Sequence, residues 1–469
     1  MKIGWGMANI TPDKPVALVG QYHERIAAEA RDPIMATALA MEGTDGTQAV
    51  LVGCDLIAIQ KHVQIGVRER IRQLVPELDP GAIILNATHT HTGPFTYDSS
   101  EWVPMFSKRT PSGVMTPAEY TSFAIGRIAE AIAEAWRSRR PGAIGRGEGY
   151  AAIGFNRRVR YDDGTARMYG QLDNDHFQSF DGLEDHRVEL LYTWNEAREL
   201  TGIVANVACT AQINENDTRV SADFLHEVRE LVAEKWGADV RVLGMIGAAG
   251  DQSPRDLIRF KHGRPSIDEQ LLTAARRLVG AMEEALEQAG RQMDDAPVFR
   301  HAVRSVELPL RMALKSEAEF AAQEWERFRQ IYESHEEPNA YFDSLGFDRQ
   351  SDIFQYWSVV NRYRQLKRSK FYTFEMHALR IGEAALVTNP FELFTAYGLQ
   401  IKARSAARMT LVSQLTCDAG GYLPTTDAVA SGGYSTQLFS GLVGPEGGQL
   451  LVEHTLEAIA SLWTEPNQP

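Results

Sequence analysis

Two hydrophobic periods take turns along the first three hundred residues, and their alternation predicts strands interleaved with helices. Ala49-Val-Leu-Val-Gly-Cys-Asp55 is a short apolar run that reads as a buried strand. After it, Val63, Val67, Ile71 and Leu74 recur at helical spacing. Ala82-Ile-Ile-Leu85 predicts a second buried strand, and 188–192, 203–207 and 240–246 predict three more. A helix is expected from about Ser221, with Asp223 in its first turn and Leu225, Val228, Val232 and Trp236 on one face. Ser266-Ile-Asp-Glu269 is a capping box that opens a long helix through about Gln288. The strand at 240–246 runs into the glycine-rich Gly247-Ala-Ala-Gly-Asp-Gln-Ser-Pro254.

From about 316 to 370 the pattern changes. This stretch is charged and aromatic (Trp325, Phe328, Tyr332, Tyr341, Phe342, Phe354, Tyr356, Trp357) and falls into two blocks of helical spacing. We read it as a helical insertion that can serve as a lid, its aromatics being more often core or interface than substrate platform. A strand over 373–381, a helix over 392–406 and a strand over 410–415 are expected next. A loop rich in Gly and Thr then leads to a final helix over 449–463. No internal repeat, low-complexity tract or clean linker is visible. The order fits one α/β catalytic domain over 1–469, with active loops at strand C-termini, where open α/β sheets bind ligands.

Composition narrows the function. The 469 residues are 44% hydrophobic and 23% charged, as in ordinary globular proteins. A net charge of −14 argues against nucleic acid or an anionic membrane as partner, since both are bound through basic patches. The start, Met1-Lys-Ile-Gly-Trp-Gly, has no apolar signal-like region, and no apolar run is long enough to span a bilayer. With three cysteines (Cys54, Cys209, Cys417) in so long a chain, a disulfide framework is not expected, and a cytoplasmic location is. The expected partner is a small, polar molecule acting as substrate; oligomeric state is left open.

The sharpest chemistry lies in Asn86-Ala-Thr-His-Thr-His-Thr-Gly-Pro94, at the end of the 82–85 strand. His89 and His91 sit at i and i+2, which in an extended segment puts both rings on one face. Imidazole is both the commonest metal ligand and the commonest general base near neutral pH, although the pair can also be a hydrogen-bonded polar rim. Other polar groups also fall where strands are expected to end: Asn156-Arg157, Asp251 and Ser253, Glu392, and Tyr422. Singly each is weak. Ser253-Pro254 can be a turn, Arg157 part of a solvated basic cluster, and Glu392 a first-turn helix acid.

In this order, however, these residues resemble the neutral/alkaline ceramidase family. Thr88-His-Thr-His-Thr-Gly-Pro94 is similar to that family's His-Thr-His-Ser-Gly-Pro, and Gly250-Asp-Gln-Ser-Pro254 to its Gly-Asp-Val-Ser-Pro. Gly421-Tyr422 with Pro424-Thr-Thr426 is similar to its Tyr-(Ile/Val)-Thr-Thr. Asn156-Arg157 and Pro390-Phe-Glu392 are softer matches to Asn-Arg-Ser and Pro-Gly-Glu. The resemblance implies a mixed-sheet α/β catalytic domain that hydrolyses an amide around one Zn2+. It implies zinc ligation by His89, Glu392 and Tyr422, with His91, Arg157 and Ser253 around the attacking water and the substrate carbonyl. Asp251 and Asp55 would be carboxylates that hold a ligand histidine's other N–H. Ser253 as nucleophile is the weaker reading, because no Ser–His–acid logic surrounds it.

The match breaks at the family's second zinc-binding histidine. Aligned back from Ser221-Ala-Asp223, that position is Cys209, which can be a thiolate ligand or a buried thiol acting as a small hydrophobe. Gln212, Asp223 or His226 can also reshape the shell. The family's C-terminal β-sandwich has no counterpart expected here. A zinc-dependent amidohydrolase of a small soluble N-acyl compound is therefore the leading expectation. A metal-dependent enzyme acting on a carbohydrate and a non-catalytic metal or metabolite binder are the alternatives.

Overall fold

In the computed structural model, which describes residues 1–96 and 112–464, the chain passes three times through one order of elements. Each pass has three antiparallel strands, a helix, a fourth strand parallel to the third, and a closing helix. The first comprises β1 (Lys2–Asn9), β2 (Met35–Glu42), β3 (Gln48–Cys54), α1 (Lys61–Leu74), β4 (Ile83–Ala87) and α2 (Pro117–Arg137). The second comprises β5 (Arg140–Tyr150), β6 (Arg187–Asn195), β7 (Leu200–Val207), α3 (Phe224–Trp236), β8 (Arg241–Ile246) and α4 (Ile267–Gly290). In the third, β9 (Phe299–Pro309) is followed by α5 (Lys315–Ser334), α6 (Pro338–Ser344) and α7 (Phe347–Gln365) before its partner β10 (Phe371–Ile381). It continues with β11 (Ala384–Thr388), the short β12 (Phe391–Leu393), α8 (Thr395–Arg404), β13 (Met409–Ser413), the short β14 (Gly421–Leu423) and α9 (Pro445–Trp463).

The first two passes share one mixed eight-stranded sheet in the order β8-β7-β6-β5-β1-β2-β3-β4, and the third makes a four-stranded sheet in the order β9-β10-β11-β13. The two halves of the large sheet and the small sheet meet in one core, with Leu39, Leu51 and Ile84 from the first pass, Val204 and Leu243 from the second, and Leu379, Leu386 and Leu411 from the third. Helices cover the outer faces: α1 and α2 over one half of the large sheet, α3 and α4 over the other, α8 and α9 over the small sheet. The result is a mixed α/β fold. Strands β4 and β7 are almost wholly buried because both of their faces are covered, which is why they read as continuous apolar runs.

The fold bears on several sequence expectations. The helical stretch from 316 is there, inserted between the paired strands β9 and β10. The capping box Ser266–Glu269 forms as read. The helix expected over 392–406 begins only at Thr395, and Glu392 lies in strand β12 instead. The threefold repetition escaped the sequence because strand order and packing survive wholesale exchange of apolar residues, whereas residue identity does not. The 21-residue α2 was also missed, although Thr116, Pro117 and Glu119 form a capping box with Pro at its first position. Its alanine-rich face sits so close to β1 that a Cβ on Gly6 would lie 2.2 Å from the Ala131 carbonyl oxygen. Among the described residues, no helix is long and apolar enough to cross a membrane.

Because that contact is backbone against strand, it cannot yield by a rotamer change. Gly6→Ala is expected to lower stability by about 1–3 kcal/mol, read as a shift of the denaturant midpoint.

Candidate active site

In each pass the first, third and fourth strands run the same way, so the segments that follow them emerge together, and those of all three passes meet. A cavity of about 1930 Å³ opens there, and His89, His91, Arg157, Glu392 and Tyr422 all line it.

The histidines arrive by a turn rather than along a strand. After β4, the backbone amide of Thr88 donates to the Cys54 carbonyl and that of His89 to the Leu56 carbonyl. His89 then takes a left-handed φ of 60°, uncommon for a side chain of its size. The kink, not an extended i, i+2 face, brings the two rings edge to face with centroids 4.9 Å apart. The intervening threonines bolt the turn down: Thr88 Oγ1 donates to Asp55, and Thr90 and Thr92 Oγ1 both donate to the Ser221 carbonyl. Against His91 lies Gly20, at φ 107°, where a Cβ would be 2.8 Å from the His91 Cβ.

His89 Nδ1 lies 2.7 Å from the Ile57 carbonyl oxygen, which can only accept, so Nδ1 carries the proton. A neutral ring then presents a lone pair at Nε2, and Nε2 faces Glu392 Oε2 at 3.4 Å. Two acceptors pointed at each other repel unless a cation or a proton lies between them. Two ligands at about 2.0 Å from a tetrahedral zinc stand about 3.3 Å apart, so this pair fits a metal. The expectation that Asp55 or Asp251 orients the ligand histidine is corrected: the Ile57 carbonyl does so. Asp55 instead pairs with Arg229, Nη1 at 2.8 Å and Nη2 at 3.0 Å.

Glu392 and Tyr422 stand side by side because β12 and β14 pair in parallel with these residues in register. Burial raises the Tyr422 phenol well above its usual range, and Glu392 adds to the rise while Arg157 opposes it. Arg157 is buried, not solvated, and its Nη2 donates to the Gly250 carbonyl at 2.9 Å and to the Tyr422 hydroxyl at 3.0 Å. Its Nε has no hydrogen-bond partner among the described residues. Asp251 holds this region together. Its side chain accepts from the Thr395 amide at 2.9 Å, from Thr395 Oγ1 at 2.7 Å and from Asn156 Nδ2 at 3.4 Å, while its carbonyl accepts from the Arg157 amide.

His91 is half-buried with both ring nitrogens enclosed, and among the described residues neither nitrogen has a hydrogen-bond partner. Burial, and after it His89, Arg25 and Arg157, hold its pKa well below the usual value, so the ring stays neutral. Glu215, which the sequence did not single out, lies 3.7 Å from His91 Nδ1 and pairs with Arg255. Gln212 joins this group through Nε2, which donates to the Tyr169 hydroxyl at 3.1 Å. Only folding could reveal Glu215, since its stretch Gln212-Ile-Asn-Glu215 carries no periodic or motif signal.

Other expected residues are not brought to the cavity wall. Cys209 packs in the core beside α3, its Sγ 3.2 Å from the Ile153 carbonyl oxygen, with burial and then Asp223 raising the thiol well above its usual range. That placement matches the filler alternative more closely than the thiolate-ligand one. Ser253 is buried and its hydroxyl accepts from the Arg255 amide, with no opening to the cavity. Asp223 caps α3, and neither it nor His226 lines the cavity.

A second cluster could hold a metal ion: ligand atoms of Glu375, His377 and Cys417 lie within 4.8 Å of one another, away from the cavity lining. Its valences are already occupied. Glu375 accepts from Arg68 and Gln64, and His377 bridges Glu375 at 2.8 Å and His301 at 2.9 Å. Burial opposes charge on both, yet the mutual hydrogen bond, with Arg68 for Glu375 and Cys417 for His377, holds Glu375 low and His377 high. The ring nitrogens of this cluster already have partners, whereas the facing acceptors of the His89–Glu392 pair leave room for a cation or a proton between them.

The fold is that of neutral ceramidase along the whole chain. The crystal structure of neutral ceramidase from Pseudomonas aeruginosa superposes with a TM-score of 0.71 at 17% identity, covering 100% of this chain and 75% of that one. A structure described as ceramidase complexed with C2 gives 0.71 at 16% identity, covering 100% and 77%. No protein-family model and no curated protein matches the sequence.

Two outcomes check this geometry. Cys209→Ser should leave the metal content of the purified protein unchanged, because the thiol bonds a carbonyl outside the cavity; elemental analysis decides. His91 has its folded pKa depressed below the unfolded value near 6.5, so the unfolded chain binds the extra proton. Stability should therefore fall as pH drops below about 6.5, and His91→Asn should flatten that limb in denaturant titrations.

Proposed function

We propose that this protein is a zinc-dependent hydrolase that cleaves the amide bond of a soluble N-acyl substrate. The observation that carries the proposal is the converging pair of acceptors, His89 Nε2 and Glu392 Oε2, in a cavity of a neutral-ceramidase fold. His89, Glu392 and Tyr422 would hold the ion. When bound, a divalent cation supplies Lewis acidity to a carbonyl and lowers the pKa of a neighbouring water towards 7.

The chain's own groups cover the proton and charge movements. A water oxygen bonds to the amide carbon as His91, neutral and with free ring nitrogens, takes the water's proton. The carbonyl π electrons move onto oxygen, and the Arg157 guanidinium meets that negative charge with its free Nε–H. Collapse re-forms the carbonyl and breaks the C–N bond, and His91 returns the proton to the departing amine. Asp251 acts at one remove by fixing the Arg157 backbone.

As purified, the protein is expected to hold about one zinc per chain and to release free amine from N-acyl compounds, with activity lost on chelation and regained with zinc. His89→Ala should bring zinc close to zero, while Cys417→Ala should retain it. The reverse pattern would move the metal to Glu375, His377 and Cys417 and overturn the proposal.

A further inference from the structure

The cavity is larger than an acyl-amide centre requires. Ligand pockets for small molecules usually enclose about 300–1,000 Å³, and this one encloses about 1930 Å³. Its outer wall comes from the segment inserted between β9 and β10. Helix α7 contributes Ser358, Asn361 and Gln365, three and four residues apart and so on one face of the helix. All three are half-buried, and among the described residues their side chains make no hydrogen bond or ion pair with the protein. Trp357 lines the same wall, and the strands and turns of 161–176 add Asp162 and Gln171.

We propose that this outer half is a binding subsite for a hydroxyl-rich, carbohydrate-like portion of the substrate, gripped by α7. The inference rests on the hydrolase reading for the reaction, but the binding stands on its own. An amide side chain offers a donor and an acceptor together, and so does a sugar hydroxyl, so Asn361 and Gln365 can each satisfy one fully. A hydrocarbon chain laid on the same wall would strip water from these groups and return nothing. Trp357 offers a flat apolar face to the C–H side of a sugar ring, at little cost in conformational freedom.

The wall is held firmly against the reacting centre. Arg362, on the same helix, donates to the Leu442 and Gly441 carbonyls at 3.0 Å each, gripping the chain behind Tyr422. Phe354 stacks on Tyr22 at 4.8 Å, Tyr22 meets Tyr434 edge-on, and Tyr434 meets Tyr422. A group bound on α7 is thus registered with the Tyr422 end of the cavity through packed side chains.

The test is calorimetric titration of the purified full-length protein with N-acylated mono- and disaccharides, and with a short-chain N-acyl amino-alcohol lipid. The saccharides should bind more tightly than the lipid, and the disaccharides more tightly than the monosaccharides. The double variant Asn361→Ala/Gln365→Ala should weaken saccharide binding about tenfold or more, whereas Arg364→Ala, on the exposed side of α7, should not. Thermal melting confirms that both variants fold. Preference for the lipid, no saccharide binding, or binding indifferent to the double variant overturns the subsite. Saccharide binding that depends on α7 without any amine release sinks the hydrolase reading and leaves the subsite standing. Amine release from the lipid alone does the opposite.

Discussion

Much of this centre follows from one electrostatic constraint: a lone pair on His89 Nε2 is fixed opposite a carboxylate oxygen of Glu392. The imidazole is pinned by its Nδ1 proton on the Ile57 carbonyl and by a left-handed backbone, and the carboxylate is carried on a strand locked in register beside Tyr422. In water such a contact would relax. In a partly enclosed site the pair is at rest only when a proton or a cation lies between the two atoms.

Around that point the chain distributes labour by its threefold pattern. The first pass supplies the imidazoles and the orienting carbonyl, the second supplies Arg157, Glu215 and Asp251, and the third supplies Glu392 and Tyr422. All of them sit on segments that follow β-strands and meet around the cavity. Loops on a rigid scaffold can vary without disturbing the buried core, which separates what packing requires from what is free to change for chemistry. The inserted helices of the third pass extend this logic, since they build the outer wall without adding to the sandwich.

Charge is managed differently in the two buried polar clusters. Around His377 both ring nitrogens are hydrogen-bonded, and the neighbouring His301 is pushed down to about 4 by burial and by His377, leaving it neutral to accept. That network braces the joint between α1 and the small sheet through Arg68. Around His91, by contrast, donors and acceptors are left open, with two buried guanidiniums, Arg25 and Arg157, nearby. Satisfied networks stiffen a fold, and unsatisfied ones mark where a ligand completes the structure.

Much of this was written in the sequence. Hydrophobic period gave most strands and helices of the first two passes, and four of the five short motifs, through the family resemblance, brought out His89, His91, Arg157, Glu392 and Tyr422, all of which line the cavity. Local pattern could not say that His89 sits in a turn, that Glu392 belongs to a strand three residues before its helix, or that Cys209 faces away from the cavity. Nor could it find Glu215 or the polar face of α7, whose significance lies in what stands across from them. Side-chain type and spacing are local properties, fixed by the order of residues. Which acceptor faces which, and what remains unpaired, depends on contacts between residues hundreds of positions apart, and only the packed chain decides those.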